Sequence, residues 1–218
     1  MDFSYFFGLF GQLAGGIKYT LGLFAITMLL SMPLGLLLSF VRASRFRVLR
    51  GILGIYIWLM RGTPLLLQLY FFYYGLTFIP YIGQYMVMDR FTAACVAFVL
   101  NYTAYYCEIF RGGLLSVDKG QYEAAQVLGF SGWQTATRIV IPQMFRVSLP
   151  SLGNECINLV KDTSLITVIG VTEILYFAKS AVNRDVNATA YLVAALFYLV
   201  MTLVLTKLLK QMEKKFAF

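Results

Sequence analysis

Three stretches of this chain, 19–41, 91–107 and 188–206, contain no charged residue and are mostly apolar. Each is long enough to cross about 30 Å of hydrocarbon at about 1.5 Å per helical residue. In hydrocarbon every backbone N–H and C=O must be satisfied within the segment, so such runs are read as helices. Composition agrees: 60% of the residues are hydrophobic and only 13% are charged, where a soluble domain needs about a quarter charged to cover its surface. The chain therefore reads as an all-α integral membrane protein.

Two further spans are less regular. Between residues 51 and 80 the apolar run is broken by Arg61 and Pro64, which mark a kink and an interfacial anchor. Between 147 and 170 the run carries Glu155, Lys161 and Asp162. The expectation is one membrane domain over 1–218 with five spans, at about 17–41, 55–80, 90–110, 147–170 and 187–208, and one long connection at 112–146. Lys and Arg fix its orientation. With the N-terminus outside, the inner side receives Arg42, Arg45, Arg47, Arg50, Arg111, Lys119, Arg138, Arg146, Lys207, Lys210, Lys214 and Lys215; the outer side receives only Lys18, Arg90, Lys179 and Arg184. The long connection and the C-terminus then lie in the cytoplasm. A cleaved signal peptide is not expected, because Asp2 occupies the region where positive charge would stand.

The net charge of +8 is explained by this topology and not by nucleic-acid binding. The Arg42–Arg50 cluster could also hold anionic headgroups, although topology alone accounts for it. There is no histidine, which removes Ser-His pairs, HExxH sites and His-ligated metals. Cys95, Cys107 and Cys156 have no CxxC spacing and read as small buried hydrophobes. No G-x4-G-K-[ST] run occurs, so the chain lacks a phosphate-cradling loop. An intramembrane Ser-Lys enzyme is excluded by reach: Ser151 and Lys161 are ten residues, about 15 Å, apart on one helix.

The 112–146 connection carries start and stop signals for two short helices. Asp118 with Gln121 resembles a capping box opening a helix over 119–128, and Gly129 supplies a left-handed stop. Ser131 with Gln134 opens a second helix over 132–141 that Pro142 is expected to end. Ala124 and Ala125 would let another backbone approach, with Val127, Leu128 and Phe130 as apolar anchors and Glu123 as a charge.

The 147–170 span is amphipathic. At about 100° per residue, Ser148, Ser151, Asn154, Glu155, Asn158, Lys161 and Asp162 share an arc of roughly 140°, while Leu149, Leu152, Cys156 and Leu159 lie outside it. Ionisable groups at membrane depth cost several kcal/mol, about 3 on insertion scales, unless they face protein or a hydrated cavity. The stripe is therefore expected to line a pathway or a polar interface. Glu155, Asn158, Lys161 and nearby hydroxyls offer acceptors for an ammonium and donors for a carboxylate, and Glu155 favours a cationic side chain. Asn101, Tyr105 and Glu108 form a shorter polar row, with Glu108 one turn from Arg111.

Read in order, Glu123-Ala124-Ala125, three residues, Gly129, nine residues and Ile139-Val140-Ile141-Pro142 resemble the EAA motif of permease subunits in ATP-binding-cassette importers, with Ile141 where the motif has leucine. Arg61-Gly62-Thr63-Pro64, Glu108 with Arg111-Gly112-Gly113, Leu149-Pro150, Lys161-Asp162-Thr163-Ser164-Leu165 and Val168-Ile169-Gly170-Val171 are similar to the polar amino-acid branch of that superfamily. The resemblance implies a type I importer permease fold of the bacterial cytoplasmic membrane. It implies that Glu123, Ala124, Ala125 and Gly129 form a coupling helix docking on an ATPase. It further implies two ATP-binding subunits that hold ATP and magnesium, a second permease chain, identical or related, and an extracytoplasmic amino-acid-binding protein; this chain itself would hold no cofactor. A passive channel or membrane scaffold is the alternative function.

Overall fold

A computed structural model describes residues 3–216. Those residues are mostly helical, with no strand among them. In order the α-helices are α1 (Phe3–Ala14), α2 (Ile17–Ala43), α3 (Arg47–Gly62), α4 (Leu65–Tyr73), α5 (Arg90–Leu115), α6 (Lys119–Val127), α7 (Gly132–Thr135), α8 (Ile141–Asp162), α9 (Ile174–Asp185) and α10 (Thr189–Phe216). Among them α2, α5 and α10 are long and apolar enough to cross a membrane by themselves. Two bent pairs raise the number of candidate spans to five: α3 with α4, bent by 105°, and the helix ending at Ile169 with α9, bent by 52°.

The axis of the fold is α5, against which α2, α3, α4 and α8 pack. Lipid tails are as apolar as leucine, so helices in a bilayer associate by close fit more than by the hydrophobic effect. The α2–α5 contact shows this. Thr20, Thr27, Ser31, Gly35 and Ser39 on α2 are buried, facing an alanine-rich α5 in which Ala93, Ala94, Ala97 and Ala104 are fully enclosed. A Cβ on Gly35 would lie 2.6 Å from the Tyr106 Cβ. The Ser31 and Ser39 hydroxyls donate to carbonyls of their own helix, at 2.5 and 2.6 Å. Leu29, Leu37 and Leu199 are more than half exposed on the outer faces of α2 and α10, as a lipid-facing surface requires.

The break between α3 and α4 has a local cause. Pro64 lacks the N–H that would bond the carbonyl of Met60 four residues earlier. Gln68 Nε2 donates to that carbonyl at 2.9 Å and Asn101 Nδ2 donates to it at 3.0 Å; Asn101 also donates to Gln68 Oε1 at 2.9 Å. The chain can therefore turn sharply at Pro64 without a buried orphan.

The 112–146 connection departs from the sequence reading at two places. Asp118 caps α6 by accepting from Gly120 N, but Gln121 does not return to the cap; it accepts from Gln143 instead. Ser131 and Gln134 do form a complete capping box. Pro142 does not end the second helix. The chain passes through a π-turn at Ala136–Val140 and continues directly into α8, with Pro142 in that helix's first turn. A proline is tolerated there because the wider turn leaves no i−4 bond for it to break.

Two helices have no counterpart in the hydropathy reading. The first, α1, packs on α9 and α10. The second, α9, starts at Glu173, whose buried carboxylate accepts from Leu175 N, Tyr176 N and the Tyr198 hydroxyl at 2.6–2.7 Å. Of the cysteines, Cys107 and Cys156 are buried and Cys95 is half-buried.

Candidate functional site

The polar face of α8 is turned away from the helix core, because its opposite face is what packs. Leu152, Cys156 and Leu159 are each at most 3% exposed, so this apolar side meets other helices and not lipid. On the polar side a cavity of about 620 Å³ opens between α8, α5 and the α3–α4 break. Its wall combines Glu155, Asn158 and Asp162 from α8, Tyr102 and Tyr105 from α5, and Arg61 from the end of α3. Glu155, Asn158 and Asp162 occupy about 60° of the helical wheel, which explains how they reach one space.

The other members of the stripe are placed elsewhere. Ser151, Asn154 and Lys161 are exposed and do not line the cavity. Ser148 is buried beneath the stripe, 3.4 Å from the Ile109 carbonyl, in a niche where Gly113 leaves room for its hydroxyl. Asp162 accepts from the Tyr102 hydroxyl at 2.7 Å. No ion pair among the described residues involves Glu155 or Asp162.

Arg61 was read from the sequence as an anchor only; it lines this cavity. Its guanidinium lies 5.2 Å from the centre of the Tyr105 ring and 4.0 Å from Glu108. Glu108 in turn pairs with Arg111 at 2.6 Å and lies 3.8 Å from Arg42, so one carboxylate balances three guanidinium groups from α2, α3 and α5. Carboxylates and a guanidinium thus share the lining of one cavity. The signal for Arg61 was present in its neighbour: Pro64 breaks the helix there, and a break ends one helix face inside the protein. A second cavity of about 630 Å³, between α2, α8 and α10, is lined by Phe24, Met28, Met32 and Leu205 with Arg146 as its charged group. It offers a polar solute almost nothing to bond.

At the far end of α5, the helix α6 carries the EAA residues. Glu123 and Ala124 are exposed, but Ala125 is fully buried against its own chain. This corrects the expectation that both alanines are presented outward. Ala125 faces inward because a nine-residue helix lying on the protein must turn one side to it. Val127 and Leu128 are 88% and 71% exposed, whereas Phe130 is half-buried. Gly129 has φ +75°; Phe130 N donates to Ala125 O and Gly129 N to Gln126 O, both at 3.0 Å. That pair of bonds is the Schellman arrangement, which favours glycine at the left-handed position.

The family model described as "Binding-protein-dependent transport system inner membrane component" matches residues 31–217. The "Probable amino-acid ABC transporter permease protein YckA" of Bacillus subtilis is 39% identical over 203 residues, covering 93% of this chain and 88% of the relative. The glutamine transport system permease protein GlnP of Escherichia coli is 36% identical over 201 residues, covering 92% and 90%. Among solved structures, one described as an amino acid ABC transporter with histidines superposes with a TM-score of 0.88 at 32% identity, covering 99% of both chains.

Proposed function

The chain belongs to the binding-protein-dependent transport system inner membrane components, as a permease of the amino-acid ABC transporter type, and on that premise we propose how its own residues serve import. The cavity bounded by Glu155, Asn158, Asp162 and Arg61 is the route of a polar amino acid, with a carboxylate receiving its ammonium group and Arg61 its carboxylate. The observation that carries this reading is the placing of two carboxylates, neither ion-paired among the described residues, and a guanidinium around one cavity in a membrane protein. Such groups persist at membrane depth where they face water or a solute. Glu155, the α8 carboxylate with no tyrosine donor of its own, biases the route toward substrates with a cationic side chain.

One chain does not enclose this route. Ser151, Asn154, Asn158 and Lys161 are exposed, and leaving them against lipid is costly. A second permease, identical or related, facing this side of α8 would cover them and complete the passage. The importer reading takes the place of the channel or scaffold reading, because the family and the relatives are amino-acid ABC transporter permeases. Glu123, Ala124, Val127, Leu128 and the Gly129 turn form the part of α6 that meets an ATP-hydrolysing subunit, with Ala125 fixing the helix to its own domain. ATP is hydrolysed on two such partners, and their closure shifts the permease pair toward the outward-facing arrangement. The solute is delivered there by an extracytoplasmic binding protein. This scheme requires the N-terminus outside and the 112–146 connection in the cytoplasm of a bacterium.

The deciding measurement is uptake of labelled amino acids by the reconstituted complex. Glu155→Gln is expected to reduce transport of lysine, arginine or histidine far more than that of glutamine. An equal loss for every substrate would remove the assignment of Glu155, and absence of ATP-dependent uptake for all amino acids would remove the route itself.

A further inference from the structure

Away from the cavity described above, the elbow between α2 and α3 holds a second polar concavity of about 460 Å³. Its wall is made by Arg42 at the end of α2 and by Arg47, Arg50, Gly51, Gly54 and Trp58 on α3. The α3 members recur at three- and four-residue intervals, so they form one face of that helix. No Asp or Glu lines the space. Arg42 enters from the side: its Nη1 donates to the Arg50 carbonyl at 3.1 Å, and a Cβ on Gly54 would sit 3.4 Å from its guanidinium. Its Nε is buried and has no hydrogen-bond partner among the described residues, approaching Glu108 only to 3.8 Å.

Charge here is arranged against the helix. The first turn of α3 contains no acidic residue, and its N-cap residue Phe46 makes no side-chain cap bond. Two arginines thus stand at the positive end of the helix dipole, where a cation is unfavourable and an anion is favoured. Along the same helix Ile52, Ile55 and Trp58 are 60–74% exposed. A basic hollow that continues into an exposed apolar strip matches a ligand with an anionic head and hydrocarbon tails.

We propose that the α2–α3 elbow is a binding site for one anionic phospholipid, its phosphate held by Arg42, Arg47 and Arg50 over Gly51 and its acyl chains lying on Ile55 and Trp58. Orientation preference alone gives no reason for three arginines to line one hollow.

The test uses the assembled transporter in lipid nanodiscs and the fluorescence of Trp58, taken as the difference between wild-type and Trp58→Phe complexes. Phosphatidylglycerol with brominated chains is expected to quench Trp58 at a several-fold lower mole fraction than brominated phosphatidylcholine. Each of Arg47→Gln and Arg50→Gln is expected to lower that preference by about five-fold, from about 1 kcal/mol per basic residue at a membrane surface. Gly51→Leu fills the hollow while leaving every charge in place, and a Cβ at Gly51 meets nothing within 4 Å; it is expected to abolish the preference in a complex that still assembles. Equal quenching by the two lipids, or a full preference in Gly51→Leu, would overturn the proposal. So would a change in Trp58 emission on adding inorganic phosphate, at matched ionic strength in phosphatidylcholine discs, as large as that given by the brominated anionic lipid: the hollow would then be a free-anion site.

Discussion

Asn101 Nδ2 on α5 lies 3.0 Å from the Met60 carbonyl oxygen, the acceptor that Pro64 leaves without its helical donor. Gln68 holds the same carbonyl and is itself held by Asn101. Asn101→Leu should therefore destabilise the protein by about 1–3 kcal/mol, the cost of leaving buried polar groups unsatisfied. Thermal unfolding in detergent measures it. In a double-mutant cycle with Gln68→Leu the two losses should be strongly non-additive; simple additivity would show that the residues do not act on one carbonyl.

The start of α9 depends on a comparable arrangement. Glu173 is fully buried, and three donors converge on its carboxylate. Glu173→Ala should cost about 2–4 kcal/mol, as loss of a helix cap together with a buried unpaired hydroxyl on Tyr198. Gly16→Ala should be at least as damaging, since its Cβ would lie 2.4 Å from the Glu173 backbone. If both variants unfold at the wild-type temperature, α1 and α9 are not joined in the way described.

Arg61 and Glu155 should separate in kinetics. Loss of a charged hydrogen bond costs about 1.5–3 kcal/mol, so Arg61→Gln should raise the KM of uptake about 10- to 100-fold for every amino acid. Glu155→Gln should discriminate by side-chain charge. Glu108→Gln is the control for the neighbouring ion cluster, because it removes the 4.0 Å contact to Arg61 without touching the cavity wall. If Glu108→Gln reproduces the KM increase, Arg61 acts through the cluster and not on the solute.

Val127 at the end of α6 and Leu128, its C-cap residue, are 88% and 71% exposed. Truncating both to alanine should weaken retention of the ATPase subunit about tenfold or more, in the range of buried interface anchors. Thermal stability of the isolated permease should change little, because neither side chain is covered by its own chain. A drop in stability with full ATPase retention would mean that α6 packs inward there and that the motor binds elsewhere.

Much of this was legible in the sequence for reasons of period and solvent. Uncharged runs long enough to cross a bilayer must become helices, so α2, α5 and α10 follow from composition and length. The caps at Asp118 and Ser131 and the left-handed Gly129 follow from residue chemistry within one turn. The EAA spacing spans less than one loop and is equally local. Hydropathy missed α1 and α9, whose helices are short and rely on packing against α10 and on a buried acidic cap.

Which stripe residues meet was decided by three-dimensional packing. A helical wheel puts Lys161 and Asp162 on one arc, yet only Asp162 reaches the cavity and Tyr102; Lys161 points past it. Arg61 and Glu155 lie on different helices far apart in the chain, yet both line one cavity. Helix period is a property of neighbours a few residues apart, fixed by backbone hydrogen bonding, and the sequence determines it directly. Which two faces oppose across a cavity depends on where helices break and how closely they approach. Those are set by long-range contacts such as Asn101 with Met60 and Gly35 with Tyr106, which only the folded chain brings together.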